Sequence, residues 1–252
     1  NVVEEKDEEF NLQEEEQSKD EITTETDEIE NKTSNGKSES PKEDTSKQEN
    51  KSKTSTKVSE TTKKDIVRLL GISPDKIDVI YHGGPEPENI NEKPLIKEPY
   101  FLYVGVRDAY KNFEQTVIDF TDFHKMHKQT KLICTGSDFS EEEVDFFKKY
   151  GIEDAVLHIK ATDSQLKNLY ANAIAFIYPS LYEGFGMPIL EAYAYGCPVM
   201  LNDIEVFHEI AGNAAIYFKS FNGSSNLSSL LEETYKINGN VRKELINKGY
   251  TQ

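Results

Sequence analysis

Short runs of apolar residues recur along the second part of the chain, and a stretch with helical spacing follows most of them. The runs are Tyr100 to Val106 (YFLYVGV), Lys131 to Thr135, Ala155 to Ile159, Ile174 to Tyr178, Pro198 to Leu201 and Ala214 to Phe218. A strand that is apolar along its whole length must be covered on both faces, and strands alternating with amphipathic helices are joined by parallel crossovers. The pattern therefore restricts this part of the chain to an α/β domain built on a doubly wound parallel sheet.

The helical stretches have their own punctuation. Ser59 is placed to cap a helix reaching about Leu70, with Gly71 stopping it. Lys76 to Tyr81 (KIDVIY) reads as a first strand ending at His82-Gly83-Gly84. Phe113, Val117, Phe120 and His124 fall on one face of a helix from about Phe113 to Lys128. Glu141, Glu142 and Glu143 suit the first turn of a helix after Ser140. Asp163 or Ser164 is expected to cap a helix through Ala173, Pro188 to open one reaching about Tyr195, and Phe207 to lie in a short one. Two more helices end the chain.

The apolar residues are unevenly spread. Residues 1–57 hold 18 acidic and 9 basic residues and six of the hydrophobic set (Val2, Val3, Phe10, Leu12, Ile22 and Ile29). Such a segment cannot bury a core against its conformational entropy, so a disordered acidic tail or linker is expected there. Residues 58–252 then form one domain. With 28 acidic and 20 basic residues, this domain is mildly acidic, which argues against a nucleic-acid partner. No run of about 18 apolar residues is present to span a bilayer, and no secretory signal is apparent. Cys134 and Cys197, in strand-like contexts, are expected to be buried thiols of a reducing compartment. The expected location is cytoplasmic, free or peripheral at the inner membrane surface.

In an open parallel sheet, ligands bind beyond the carboxyl ends of the strands. The loops expected there are HGG, VRDAYKN, TGSD and PSLYEGFG. Gly184 and Gly186 either meet the steric need of a tight turn or let the backbone approach a ligand, with free amides at the helix start facing its oxygens. Glu191, expected in the first helical turn, either answers the helix dipole or accepts from the two hydroxyls of a ribose. Glu183, in the loop itself, suits a sugar hydroxyl or a developing oxocarbenium charge. Lys111, with Arg107 nearby, could neutralise a departing diphosphate, although Arg107 equally fits a solvated surface pair. The histidines and cysteines lack metal-ligand spacing, so no metal is expected.

EGFGMPILEA, with Lys111 in VGVRDAYKN and HEIAGNAA around Glu209, resembles the C-terminal half of family 4 retaining glycosyltransferases of the GT-B fold, mannosyltransferase-like members above all. The likeness extends over essentially all of residues 58–252. It implies a Rossmann-like donor-binding domain that moves a hexose from a nucleotide-diphosphate sugar to an acceptor hydroxyl with retention, GDP-mannose being one candidate. Glu183 then contacts the hexose near its reacting carbon and Glu191 the ribose. Gly184, Phe185, Gly186 and Met187 contact the donor, and Lys111 and Arg107 the diphosphate. No cofactor is implied. The implied partners are the nucleotide sugar, an acceptor glycan or lipid-linked sugar, and an N-terminal Rossmann-like acceptor domain that residues 1–57 do not resemble. His82 stands where the family usually has Asn, and the Arg107–Lys111 spacing is shorter than in many members. The other reading is a non-catalytic or split donor-binding module that needs a partner domain.

Overall fold

The structure, a computed structural model, describes residues 55–221 and 223–252. Most of the expected acidic tail lies outside these residues. Its last three do not behave as tail: Ser55–Lys57 form a strand, β1, paired in parallel with β2, Ile77–Val79. The helix between them, α1 (Glu60–Leu70), starts at the Ser59 cap and ends at Gly71, whose φ of 65° no β-carbon favours.

Six strands form the main sheet: β3 (Tyr100–Tyr103), β4 (Lys131–Cys134), β5 (Val156–His158), β6 (Phe176–Tyr178), β7 (Val199–Asn202) and β8 (Ala215–Phe218). Their order is β5-β4-β3-β6-β7-β8, and every pairing is parallel. The chain builds outward from β3 to β5, returns to the middle, then builds outward on the other side from β6 to β8. The boundary between β3 and β6 is thus the topological switch point, beside which ligands bind in such sheets. KIDVIY was expected in this sheet but is not part of it. Its burial alternates, with Ile77 buried and Asp78 exposed, which is the signature of a strand covered on one side only.

The central strands are apolar throughout because each face has its own core. Tyr100 and Leu102 of β3 point into one, Phe101 and Tyr103 into the other. The first core is closed by α4 (Asp163–Asn172), α5 (Met187–Ala194) and α6 (Glu205–Ala211) through Leu169, Tyr170, Ile189 and Phe207. The second is closed by α2 (Phe113–His124), α3 (Glu141–Tyr150) and α7 (Leu227–Tyr235) through Val117, Phe120, Phe147 and Leu231. Each fully buried Phe contributes about 1.5–3 kcal/mol relative to exposure.

Two helix starts carry reciprocal caps, Ser140 with Glu143 and Thr162 with Gln165. The cap of α4 is therefore Thr162 rather than Asp163 or Ser164; its hydroxyl accepts from the Gln165 amide, and Asp163 falls in the first turn. Helix α2 stops at His124, short of Lys128, because the chain turns through His127 to Thr130 to enter β4. The last helix, α8 (Gly239–Tyr250), lies against α5, where a β-carbon on Gly249 would stand 2.4 Å from Cδ1 of Tyr193. Arg242 fastens α8 to the carbonyls of Ala173 and Ile174.

Candidate functional site

Between β6 and α5 the chain passes through Tyr182-Glu183-Gly184-Phe185-Gly186. Gly186 caps α5 with φ 111°, and a β-carbon there would meet Ile189 at 3.0 Å and Phe207 at 3.3 Å. Glycine is required on both counts. Met187 is the first residue of α5 and Pro188 the second, so the missing proline N–H falls where no helical partner exists. This numbering corrects one expectation. Glu191 is the fifth residue of α5, beyond the first turn, where the dipole no longer accounts for a carboxylate. Its Oε2 instead accepts from the hydroxyl of Tyr170, at 3.2 Å. The Tyr170 phenol is held well above its ordinary pKa, first by burial and then by the Glu191 charge, so it remains a donor.

Glu183 meets Lys111 across the switch point. Lys111 ends a short 3-10 turn (Ala109–Lys111) in the loop after β3, and its Nζ lies 2.6 Å from Oε1 of Glu183. Both side chains are largely buried, at 14% and 13% exposure. The two loops are also sewn together by the Leu181 amide on the Tyr110 carbonyl (2.8 Å) and by Asn112, whose side chain donates to Pro179 O and Ser220 Oγ. Asn112 holds φ 56°, a left-handed value that Asn tolerates better than most residues. Beneath the pair, burial and the Glu183 carboxylate raise the pKa of the Tyr178 phenol.

Arg107 does not join them. Its Nε lies 2.5 Å from Glu143 Oε1, and its Nη2 donates to the carbonyls of Ser137 and Asp138. The guanidinium also faces the rings of Phe139 (4.8 Å) and Phe113 (5.6 Å). At 4% side-chain exposure, it is neither a solvated surface pair nor a partner of Lys111. It ties the loop after β3 to the start of α3, through the same Glu143 that closes the Ser140 cap.

The remaining loops press inward at the same end of the sheet. A β-carbon on Gly136 would stand 2.5 Å from the Gly105 carbonyl oxygen, so the loops after β3 and β4 touch through backbone. A β-carbon on Gly84 would stand 2.8 Å from the Leu190 β-carbon, which brings the HGG loop onto α5. His82 sets its edge against the ring of Phe185, 5.3 Å between centroids at 88°, and Phe185 is buried.

Sequence reasoning missed one group of contacts. The hydroxyls of Ser59 and Thr62 both reach the Gly184 carbonyl, at 2.7 and 3.0 Å. Glu209 of α6 accepts from the amides of Glu60 and Thr61 and from the Thr61 hydroxyl. Ser59 was legible as a cap; that it reaches 125 positions along the chain was not.

A cavity of about 420 Å³ is lined by Pro99, Ile174 and Pro198, which precede β3, β6 and β7. It therefore opens at the amino ends of the strands, away from Lys111 and Glu183. Among the described residues no three His, Cys, Asp or Glu side chains are grouped to hold a metal. No helix among them is long and apolar enough to cross a membrane.

Residues 86–252 match the family described as Glycosyl transferases group 1. The O-antigen chain mannosyltransferase RfbU of Salmonella typhimurium is 33% identical over 161 residues, covering 64% of this chain and 45% of that protein. A serotype-specific mannosyltransferase, WbdA of Escherichia coli, is 33% identical over 174 residues, covering 66% of this chain and 21% of that protein. The chain thus spans less than half the length of these relatives. Among solved structures, WaaG, a glycosyltransferase involved in lipopolysaccharide biosynthesis, superimposes with a TM-score of 0.62 at 17% identity, covering 78% of this chain and 57% of that one. A glycosyltransferase from Rickettsia africae superimposes with a TM-score of 0.64 at 18% identity, covering 80% and 59%.

Proposed function

Given that the chain belongs to the group 1 glycosyl transferases, with the α/β fold of the C-terminal domain of GT-B enzymes, we propose that it binds a nucleotide-diphosphate sugar across the Lys111–Glu183 pair. The observation that carries this reading is the pair itself, a largely buried cation and carboxylate from the two sides of the switch point. In the free protein each satisfies the other. A diphosphate can take the Lys111 ammonium, which leaves Glu183 to accept from hydroxyls of the attached hexose. As the bond between the anomeric carbon and the diphosphate breaks, the bonding pair departs with the diphosphate, and Lys111 stabilises the growing charge. The acceptor hydroxyl then bonds through its oxygen to the same carbon and gives up its proton to the departing diphosphate, with configuration kept.

In this arrangement Glu191, steadied by Tyr170, holds the ribose. The amides of Gly184, Phe185 and Gly186 face sugar oxygens at the start of α5, beside Met187. Lys111 and the helix start supply the positive charge, so no metal is needed. The mannosyltransferase relatives support mannose as the hexose, and GDP-mannose is the donor we propose for it. Arg107 serves this site indirectly, by fixing the loop that carries Lys111.

The acceptor, a glycan or lipid-linked sugar, is assigned to an N-terminal domain other than residues 58–252. Exposed Leu69, Leu70, Ile80 and Tyr81 support such a covering partner. By themselves residues 58–252 are then a donor-binding half with little transfer activity. A thermal-shift and calorimetric panel of nucleotide diphosphates and their sugars tests the proposal. A true ligand at a hundredfold excess over its dissociation constant stabilises by about 2.7 kcal/mol. Lys111→Ala should remove that gain and Glu183→Ala the part of it that the sugar adds, and unchanged gains in both variants would refute the site.

A further inference from the structure

Helix α1 buries none of its residues, yet its first turn is fully engaged. The Thr62 amide donates to Ser59 Oγ at 3.0 Å, while the amides of Glu60 and Thr61 donate to the two carboxylate oxygens of Glu209 at 2.6 and 3.0 Å. With the three amides taken, this helix start has none of them left for an anion. What the first turn does hold is the loop before α5. Ser59 is wholly buried. Its oxygen already accepts the Thr62 amide, and its proton lies within reach of Thr62 Oγ1 at 2.8 Å as well as of the Gly184 carbonyl at 2.7 Å. Thr62 Oγ1 adds a second donor to the same oxygen at 3.0 Å.

A trans peptide points its C=O and N–H in opposite directions. Fixing the Gly184 carbonyl toward α1 therefore fixes the Phe185 N–H away from it. Among the described residues, the amides of Gly184, Phe185 and Gly186 have no hydrogen-bond partner. Loop glycines would otherwise leave this peptide free to rotate. The His82 edge on Phe185 restrains the ring but not the Gly184–Phe185 peptide plane.

We propose that Ser59 and Thr62 are positioning residues for the sugar half of the donor: they aim the Phe185 amide at a hexose oxygen, and Glu209 holds the helix from which they reach. This rests on the reading that the hexose lies at the loop from Glu183 to Gly186. It joins two sequence motifs, VSETT and HEIAG, to the site through a single carbonyl.

The test is calorimetric binding of GDP-mannose and of GDP to the full chain, to Thr62→Val, to a Ser59→Ala/Thr62→Val double variant, to Ser59→Thr and to Glu183→Ala. The double variant should lose about tenfold in affinity for GDP-mannose, the scale of one hydrogen bond, while GDP affinity stays within about twofold. Ser59→Thr, which keeps the hydroxyl, should retain the wild-type ratio. Thr62→Val, which preserves shape and leaves the cap intact, should show a smaller loss of the same kind even where the double variant does not fold. If both affinities fall together, α1 is merely structural and the proposal is wrong. If Glu183→Ala lowers the ratio and the hydroxyl variants do not, positioning by α1 fails while the donor reading stands. If Glu183→Ala also leaves the ratio unchanged, the hexose is not at this loop and both fail.

Discussion

Replacing Tyr170 by Phe removes one hydroxyl and little else. The ring is fully buried and packs edge-on against Phe176 at 5.5 Å, so Phe keeps the packing and leaves no cavity larger than an oxygen atom. The lost contact is the hydrogen bond to Glu191 Oε2. Bonds to a charged acceptor contribute about 1.5–3 kcal/mol, and a 3.2 Å separation to a half-buried carboxylate belongs at the lower end, about 1.5 kcal/mol. If Glu191 holds both ribose hydroxyls, loosening it should weaken nucleotide diphosphate binding by up to about tenfold, at 1.4 kcal/mol per factor of ten. The loss should fall on the ribose. Titrating wild type and Tyr170→Phe with GDP and 2′-deoxy-GDP should show a wild-type preference for GDP that shrinks in the variant, with urea unfolding reporting a stability loss of about 1 kcal/mol. Glu191→Ala sets the floor. If it erases the preference while Tyr170→Phe leaves it untouched, the Tyr170 bond does not orient Glu191 and the reasoning is refuted.

Other outcomes follow from packing and charge. Gly249→Ala gains about 1 kcal/mol of helix propensity but drives a methyl into Tyr193, a clash that costs about 1–3 kcal/mol; urea midpoints should fall, and a raised midpoint would contradict the close packing of α8 on α5. Burial alone would raise the pKa of Glu209, but its bonds to the Thr61 hydroxyl and to the Glu60 and Thr61 amides outweigh it and hold the pKa below 4.5. The stability these bonds confer is therefore full above pH 4.5 and is lost as pH falls through the lower folded value. Melting curves of wild type and Glu209→Gln should differ most at neutral pH and converge in acid, and a gap that widens in acid would reverse the sign. Burial pushes the Cys197 thiol up to about 12 and the Cys134 thiol higher, so neither should react with a thiol reagent until the chain is unfolded.

The apolar runs revealed the parallel sheet because each central strand is buried on both faces, a property that any run of consecutive large side chains displays. That the loops after β3, β4 and β6 gather at one end of the sheet was legible for the same reason, since a doubly wound sheet brings its carboxyl ends together; that those after β3 and β6 are neighbours was not. What escaped were contacts set by distant partners. For Arg107 the sequence leaves a phosphate cation and a solvated surface pair equally open, and Glu143, 36 positions on, holds it in neither role. Glu191 reads as a first-turn carboxylate if Pro188 opens the helix; Met187 precedes it in the helix, and Tyr170 explains the carboxylate better than the dipole does. KIDVIY carried its own warning in Asp78, whose exposed side chain no doubly covered strand accommodates.

The switch point also bears on how such a domain can change over generations. All six strands of the main sheet end on one side, so the segments that would meet a ligand there are turns, and each turn lends the two cores few side chains, Val104, Phe139, Phe185 and Ile204 among them. A lineage can therefore lengthen, shorten or rewrite the turns after β3, β4, β6 and β7 and acquire a new substrate without disturbing the packing that lets the chain fold. The opposite holds for the Gly136–Gly105 contact and for Gly186, where backbone or packed side chains leave no room for a methyl group. Those glycines should resist drift in any descendant that keeps this architecture, whatever sugar it comes to carry.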